Sequence, residues 1–262
     1  MRASLVRSEH RGGVARIELD SPSNRNALSA ELLAGLGSAL AGAEADPEIR
    51  VLVLGHSGPA FCSGADLREQ TRGFSVGRPA PGVGALAPLF RQLLDCPKPI
   101  VCRVAGAARA GGVGLVAAAD IAIASESATF GTGEVRLGVA PAVLAVVVLP
   151  KVGRAAAARL FLTGEPVDAA AAQAMGLISQ VVPGQGLDAA VEVVVDQLLL
   201  ANPTALAATK RILREVPELK REPAFAAMAE LSQTLFASPE AAEGMAAFLE
   251  RRRPSWVSPP TG

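Results

Sequence analysis

The chain has 262 residues, half of them hydrophobic, with 3% aromatics and no tyrosine, so its apolar mass is alanine, valine and leucine. Lys plus Arg balances Asp plus Glu at 25 each, so no global field recruits DNA or an anionic membrane, and too few rings are present for single-stranded nucleic acid to stack on. Three cysteines without a CxxC pair and two distant histidines indicate neither a disulfide framework nor a zinc site.

In chain order, VARIEL (14–19) reads as a strand and DSPSN as a turn. NALSAELLAGLGSAL sets Leu32, Leu36 and Leu40 on one helical face, with Ser29 as its N-cap. IRVLVLG (49–55) reads as a strand covered on both faces, leading through a turn at Ser57, Gly58 and Pro59 into FCSGAD. Residues 71–84, rich in Gly and Pro, are expected to form a mobile surface loop before a helix over 86–94. Residues 103–134 read as strand, tight turn at Gly111 and Gly112, buried helix and strand, with Glu134 beyond. A short helix breaks near Pro150 and Gly153, and RAAAARLFLTG stops at Gly164. Asp168 caps AAAAQAM ahead of the strand LISQVV. From 186 onward the pattern is wholly helical. Strand and helix alternate with no β-hairpin signal, which favours a mostly parallel sheet in an α/β core over 1–195, followed by a helical part over 196–262. The N-terminus lacks a long apolar core. The longest apolar stretch, near 139–149, is broken by Pro141 and too short for a bilayer, so the expectation is a cytoplasmic protein with no membrane partner.

FCSGAD and ARAGGVG both follow apolar strands and can expose backbone N–H groups at a bend. Two such groups converging on one carbonyl oxygen would form an oxyanion hole; alternatively, Gly111 and Gly112 only permit close helix packing. No GxGxxG follows the first strand, and GHSGPAFC lacks the ending of a phosphate loop, so nucleotide readings fall. Cys62 has no neighbouring base for nucleophilic work. Trp256, past the last helix, is expected to pack on a neighbouring subunit.

Asn26-Ala27-Leu28, AFCSGADL, AGGVGL, ADIAIA, FGTGEVRLGVAP and EGMAAFLERRRP, in this order and spacing, resemble the enoyl-CoA hydratase/isomerase (crotonase) family over roughly 14–254. The resemblance implies a spiral of ββα units with a helical C-terminal trimerisation region. It further implies a homotrimer or homohexamer, and an acyl-CoA thioester as substrate with coenzyme A part of that substrate and no separate cofactor. The family's two oxyanion-hole N–H groups fall on Ala65 and Gly111. Of its two acid/base glutamates, the first position is Gly114 and the second is Glu134. Arg25 resembles a basic residue near the CoA phosphates, and the resemblance extends acyl-CoA contacts to Ala27, Ala65 and Gly111. Arg251–Arg253 resemble tail residues that reach a neighbour's ligand, while Arg109 and Arg136 are candidates for pairing with a distal substrate carboxylate. GGVGL with EVRLGVAPAV looks like a single-glutamate hydratase branch that includes methylglutaconyl-CoA hydratases. The implied activity is hydration of an enoyl-CoA with Glu134 as the single acid/base. Δ3,Δ2 isomerisation, decarboxylation on the same enolate site and a non-catalytic acyl-CoA-binding homologue are the alternatives.

Overall fold

A computed structural model describes residues 4–75 and 81–257. Its first two strands, β1 (Val6–Arg11) and β2 (Val14–Leu19), form an antiparallel hairpin. This corrects the expectation of no hairpin. Gly12 and Gly13, at φ 59° and 81°, supply the two left-handed residues that a two-residue hairpin turn requires. After α1 (Ala30–Ala45) the chain repeats one pattern: a long strand, a short strand, then helix. The units are β3 (Val51–His56) and β4 (Ala60–Cys62) with α2 (Leu67–Ser75) and α3 (Pro81–Asp95); β5 (Ile100–Val104) and β6 (Ala107–Arg109) with α4 (Gly111–Ala118); and β7 (Ile121–Ser125) and β8 (Thr129–Gly131) with α5 (Ala142–Val148). There follow α6 (Arg154–Thr163), β9 (Val167–Asp168), α7 (Ala169–Ala174) and β10 (Gln180–Val182).

Long strands collect in a six-stranded sheet ordered β1-β2-β3-β5-β7-β10, and short ones in a four-stranded sheet ordered β4-β6-β8-β9. From β2 to β10 the larger sheet is parallel, whereas β8 and β9 pair antiparallel. This two-sheet winding is the ββα spiral. The sequence supports it locally. All six residues of β3 are buried, as its unbroken apolar run requires. Ser29 Oγ accepts from Leu32 N–H at 3.2 Å at the start of α1, a cap of about 1 kcal/mol, while Leu32, Leu36 and Leu40 enter the core. Asp168 caps α7 by accepting from Ala171 N–H at 2.8 Å.

Residues 71–75 and 81–84 lie in α2 and α3, so the expected loop is replaced by two helices; 76–80 lie outside the described residues. Proline at the first position of α3 lacks the N–H that helix starts leave unused, which is why Pro81 opens a helix here.

Helices α8 (Leu187–Leu200), α9 (Pro203–Glu215), α10 (Arg221–Phe236) and α11 (Pro239–Leu249) complete the chain. Residue 195 falls inside α8, whose Leu187, Val191 and Val195 cover Val51, Val53, Val101 and Ile123 of the larger sheet. By contrast α9 and α10 bury no residue fully. Polar contacts tie α9 to the core: Lys210 Nζ meets Asp120 at 2.8 Å and donates to Leu93 O and Lys98 O, and Arg214 donates to Leu94 O. No single helix among the described residues is long and apolar enough to cross a membrane.

Candidate active site

All eight residues of α4 are buried, and none has a polar side chain. Ala110, at φ 49°, turns the chain from β6 into this helix, and its N–H donates to Gly131 O at 2.8 Å. In the first turn Val113 and Gly114 N–H both donate to Ala110 O, at 2.9 and 3.3 Å. Gly111 N–H, at the helix start, finds no acceptor among the described residues, as expected of the first orphan donors of a helix. On the facing segment, Leu28 N–H donates to Gly64 O at 2.8 Å, and Asp66 N–H lies 3.5 Å from Leu28 O. A parallel bridge of this kind uses the groups on either side of Ala65 and turns Ala65 N–H away from Leu28. That N–H also has no acceptor among the described residues.

Glycines press the two segments together. A Cβ on Gly64 would lie 2.7 Å from Ala110 Cβ, and one on Gly112 would lie 2.7 Å from Cys62 Cβ and 2.9 Å from Cys62 O. The residue before each unused donor, Gly64 and Ala110, therefore meets the other with no room for a side chain between them. Close packing of the two segments accounts for Gly64 and Gly112.

Asn26 holds this seam, and its role was not visible in sequence. It is fully buried at φ 54°; its Oδ1 accepts from Ser21 N–H at 2.7 Å, and its Nδ2 donates to Ser57 O and Ala60 O at 3.0 and 2.8 Å. One of these bonds closes the 21–28 segment on itself and the other two lock it to the turn before FCSGAD. Ala27 is buried beside it, its N–H 3.3 Å from Asn24 Oδ1. His56 supports the same turn: its Nε2 accepts from Ala105 N–H at 3.0 Å, and burial holds its pKa below the ordinary imidazole value.

Glu134 opens a single 3₁₀ turn over Glu134–Leu137, three residues beyond the Gly131 that binds Ala110. Its side chain is half-buried, and Oε2 is shielded from solvent with no hydrogen-bond partner among the described residues. Desolvation raises its pKa above the ordinary carboxylate value, partly offset by its own backbone N–H. A carboxyl group held dry, unpaired and easily protonated can take a proton from a neighbour and return it.

Gly114 lies one turn along α4 from Gly111. A Cβ there would lie 2.3 Å from Phe90 Cζ, so the ring of Phe90 occupies the space any side chain at 114 would need. A carboxylate at that position would require the Phe90 ring to be displaced.

The remaining candidates separate clearly. Arg25 is exposed, at φ 58°, and forms no ion pair among the described residues. Arg109 is committed to Ala108 O, Thr129 O and Thr129 Oγ1 at 2.8–2.9 Å, and Arg136 Nε donates to Thr163 O at 2.9 Å, so both brace the fold locally. In the tail, Arg252 grips Glu243 at 2.7 Å and holds its carboxyl down to about 2. Trp256 is half-buried against its own chain: Nε1 donates to Leu200 O at 3.1 Å, and the ring lies over Gly244. Burial pushes the Cys62 thiol up to about 12, which removes it as a nucleophile. A cavity of about 330 Å³ between α9, α10 and α11, lined by Leu235, Phe236, Met245 and Trp256, shares no residue with the Glu134 site. Among the described residues no cluster of His, Cys, Asp and Glu could hold a metal ion.

Comparison with known proteins bears on the family and the fold. A model of the enoyl-CoA hydratase/isomerase family matches residues 9–259. Enoyl-CoA hydratase EchA19 of Mycobacterium tuberculosis is 34% identical, covering 95% of this chain and 94% of its own length. The mitochondrial enoyl-CoA hydratase domain-containing protein 3 of Danio rerio is 31% identical, covering 97% of this chain and 88% of its own. The crystal structure of an enoyl-CoA hydratase/isomerase from Marinobacter aquaeolei superposes with a TM-score of 0.91 at 31% identity, covering 98% of this chain and all of that one.

Proposed function

Because the chain belongs to the enoyl-CoA hydratase/isomerase family, we propose that it adds water across the 2,3 double bond of an enoyl-CoA, with Glu134 as the single acid/base. The thioester oxygen accepts from Ala65 and Gly111 N–H, which hold the negative charge that develops there. Glu134 takes a proton from water as the water oxygen bonds to C3 and the double-bond electrons move onto the thioester as an enolate. The enolate then recovers that proton from Glu134 at C2, so one carboxyl group serves both transfers and both new bonds form on one face. The observation that carries this reading is the buried Oε2 of Glu134, which has no hydrogen-bond partner among the described residues. Turnover of crotonyl-CoA, 3-methylcrotonyl-CoA and 3-methylglutaconyl-CoA tests it and selects within the single-glutamate branch. Loss of the 2,3 double bond by hydration in any of the three supports it, and no hydration of any removes it.

Phe90 in the place of a second carboxylate favours a second reading, Δ3,Δ2 isomerisation, because that reaction needs one base, to lift a C2 proton and return it at C4. Conversion of 3-hexenoyl-CoA to the 2-enoyl product without added water would favour it over hydration.

Coenzyme A phosphates need cations, and the exposed, unpaired Arg25 beside Ala27 suits them. Arg25→Ala is expected to weaken acyl-CoA binding about tenfold, the value of a charge-assisted contact, with kcat little changed. Equal affinity would remove the assignment. The core over 1–195 binds and reacts with the thioester, while the helical region of 196–262 assembles subunits and contributes part of the CoA site. Support for a homotrimer or hexamer comes from Phe225, Phe236, Phe248 and Leu249, exposed by 68–83% on α10 and α11. A sedimentation mass of one chain would contradict it. A cytoplasmic setting accompanies this reading, checked by cell fractionation.

A further inference from the structure

We propose that Phe90 sets how much acyl group the site accepts, holding bound thioesters to short acyl chains. The inference rests on the reading above in one respect: Gly111 must face the thioester.

Gly111 and Gly114 share a face of α4, and Leu86 and Phe90 share a face of α3. The two faces meet without intervening side chains. A Cβ on Gly111 would lie 2.7 Å from Leu28 Cδ1 and 3.4 Å from Leu86 Cδ2, and one on Gly114 would lie 2.3 and 2.9 Å from Phe90 Cζ and Cε2. The distal edge of the Phe90 ring thus rests against the Gly114 backbone, one turn from the unused Gly111 N–H. Only 3% of Phe90 is exposed, and it belongs to the same close-packed cluster as Leu89, Leu93, Val113 and Leu115. Such packing leaves the ring nowhere to swing. The face that Leu86 and Phe90 turn to α4 is therefore apolar and offers an acyl chain no hydrogen bond, and at Gly114 the ring fills the space into which a chain would extend. Truncating Phe90 would open a void lined by apolar groups, and voids of that kind stay dry and admit apolar ligands.

Saturated thioesters test this apart from the reaction, because they cannot be hydrated. Binding of butyryl-CoA and octanoyl-CoA to the full chain is measured by calorimetry for wild type, Phe90→Ala and Phe90→Leu. Wild type is expected to prefer butyryl-CoA. Phe90→Ala should raise the octanoyl-to-butyryl affinity ratio at least tenfold, and Phe90→Leu, closer in volume, should raise it about threefold. A purely structural role would weaken both ligands alike and leave the ratio unchanged. If Phe90→Ala does not fold, Phe90→Leu decides. An unchanged ratio in a folded variant, or a wild-type preference for octanoyl-CoA, overturns the proposal. A ratio that moves in a protein without turnover would sink the hydratase reading and leave this one standing, whereas crotonyl-CoA hydration with an unmoved ratio would do the reverse. Failure of wild type to bind either thioester overturns both.

Discussion

Glu134→Ala is expected to lower kcat roughly 10²–10⁴-fold, the usual value of a positioned acid/base, while acyl-CoA binding changes little. The size follows from the absence of a substitute. Phe90 fills the space over Gly114, and among the described residues Oε2 of Glu134 has no partner that could take over the proton. The same feature predicts a gain in stability. The folded pKa of Glu134 is raised above the ordinary carboxylate value of 4.5 by desolvation, so the folded state disfavours the charged form that the unfolded chain adopts freely. Stability attributable to this group is present in full below pH 4.5 and is lost as pH rises through the raised folded value. Glu134→Gln should therefore melt above wild type at pH 7.5, and the difference should vanish as pH falls towards 4.5. Activity that requires the ionised carboxylate should fall on the acid side at a pH above 4.5. Equal melting temperatures at pH 7.5 would show that the carboxylate is solvated.

Gly64→Ala is expected to cost about 10²–10³-fold in kcat, the value of one oxyanion-hole donor. Its new methyl would arrive 2.7 Å from Ala110 Cβ and 3.3 Å from Arg109 O, driving apart the residues that precede the two donors. Gly64 also sits at φ 89°, where a side chain adds backbone strain, so melting should fall as well. Gly42→Ala in α1 is the control, since its Cβ would meet nothing within 4 Å, and helix propensity favours alanine by about 0.5–1 kcal/mol. Retention of wild-type kcat by Gly64→Ala would mean that the two segments do not together hold the reacting oxygen.

Legibility in the sequence followed how local the deciding physics was. Ser29 and Asp168 caps, the buried run of β3 and the glycine-opened α4 are short-range patterns, and each lies where the sequence places it. The β1–β2 hairpin was legible in principle from Gly12-Gly13 but was masked because five of the six residues of β1 are exposed, leaving no apolar alternation to mark a strand. The segment 71–84 misled through composition, as its Gly and Pro residues fall at a helix end and a helix start as well as between them. Strands of two or three residues such as β4, β6, β8 and β9 carry too little pattern to announce themselves. At the site, Glu134, Ala65 and Gly111 came from a motif resemblance. The clamp by Asn26 and the filling of Gly114 by Phe90 depend on contacts between segments distant in sequence, which no single stretch encodes.

Exchange of the C2 protons of butyryl-CoA in D₂O tests the central claim most directly. It requires only an enolate held by the Ala65 and Gly111 N–H groups and a base, whether the full reaction is hydration or isomerisation. Wild type should catalyse deuterium incorporation at C2, and Glu134→Ala should reduce it to the buffer rate while still binding the thioester. Binding without exchange in wild type, or exchange undiminished in Glu134→Ala, would contradict a site in which Glu134 moves a proton on a stabilised enolate.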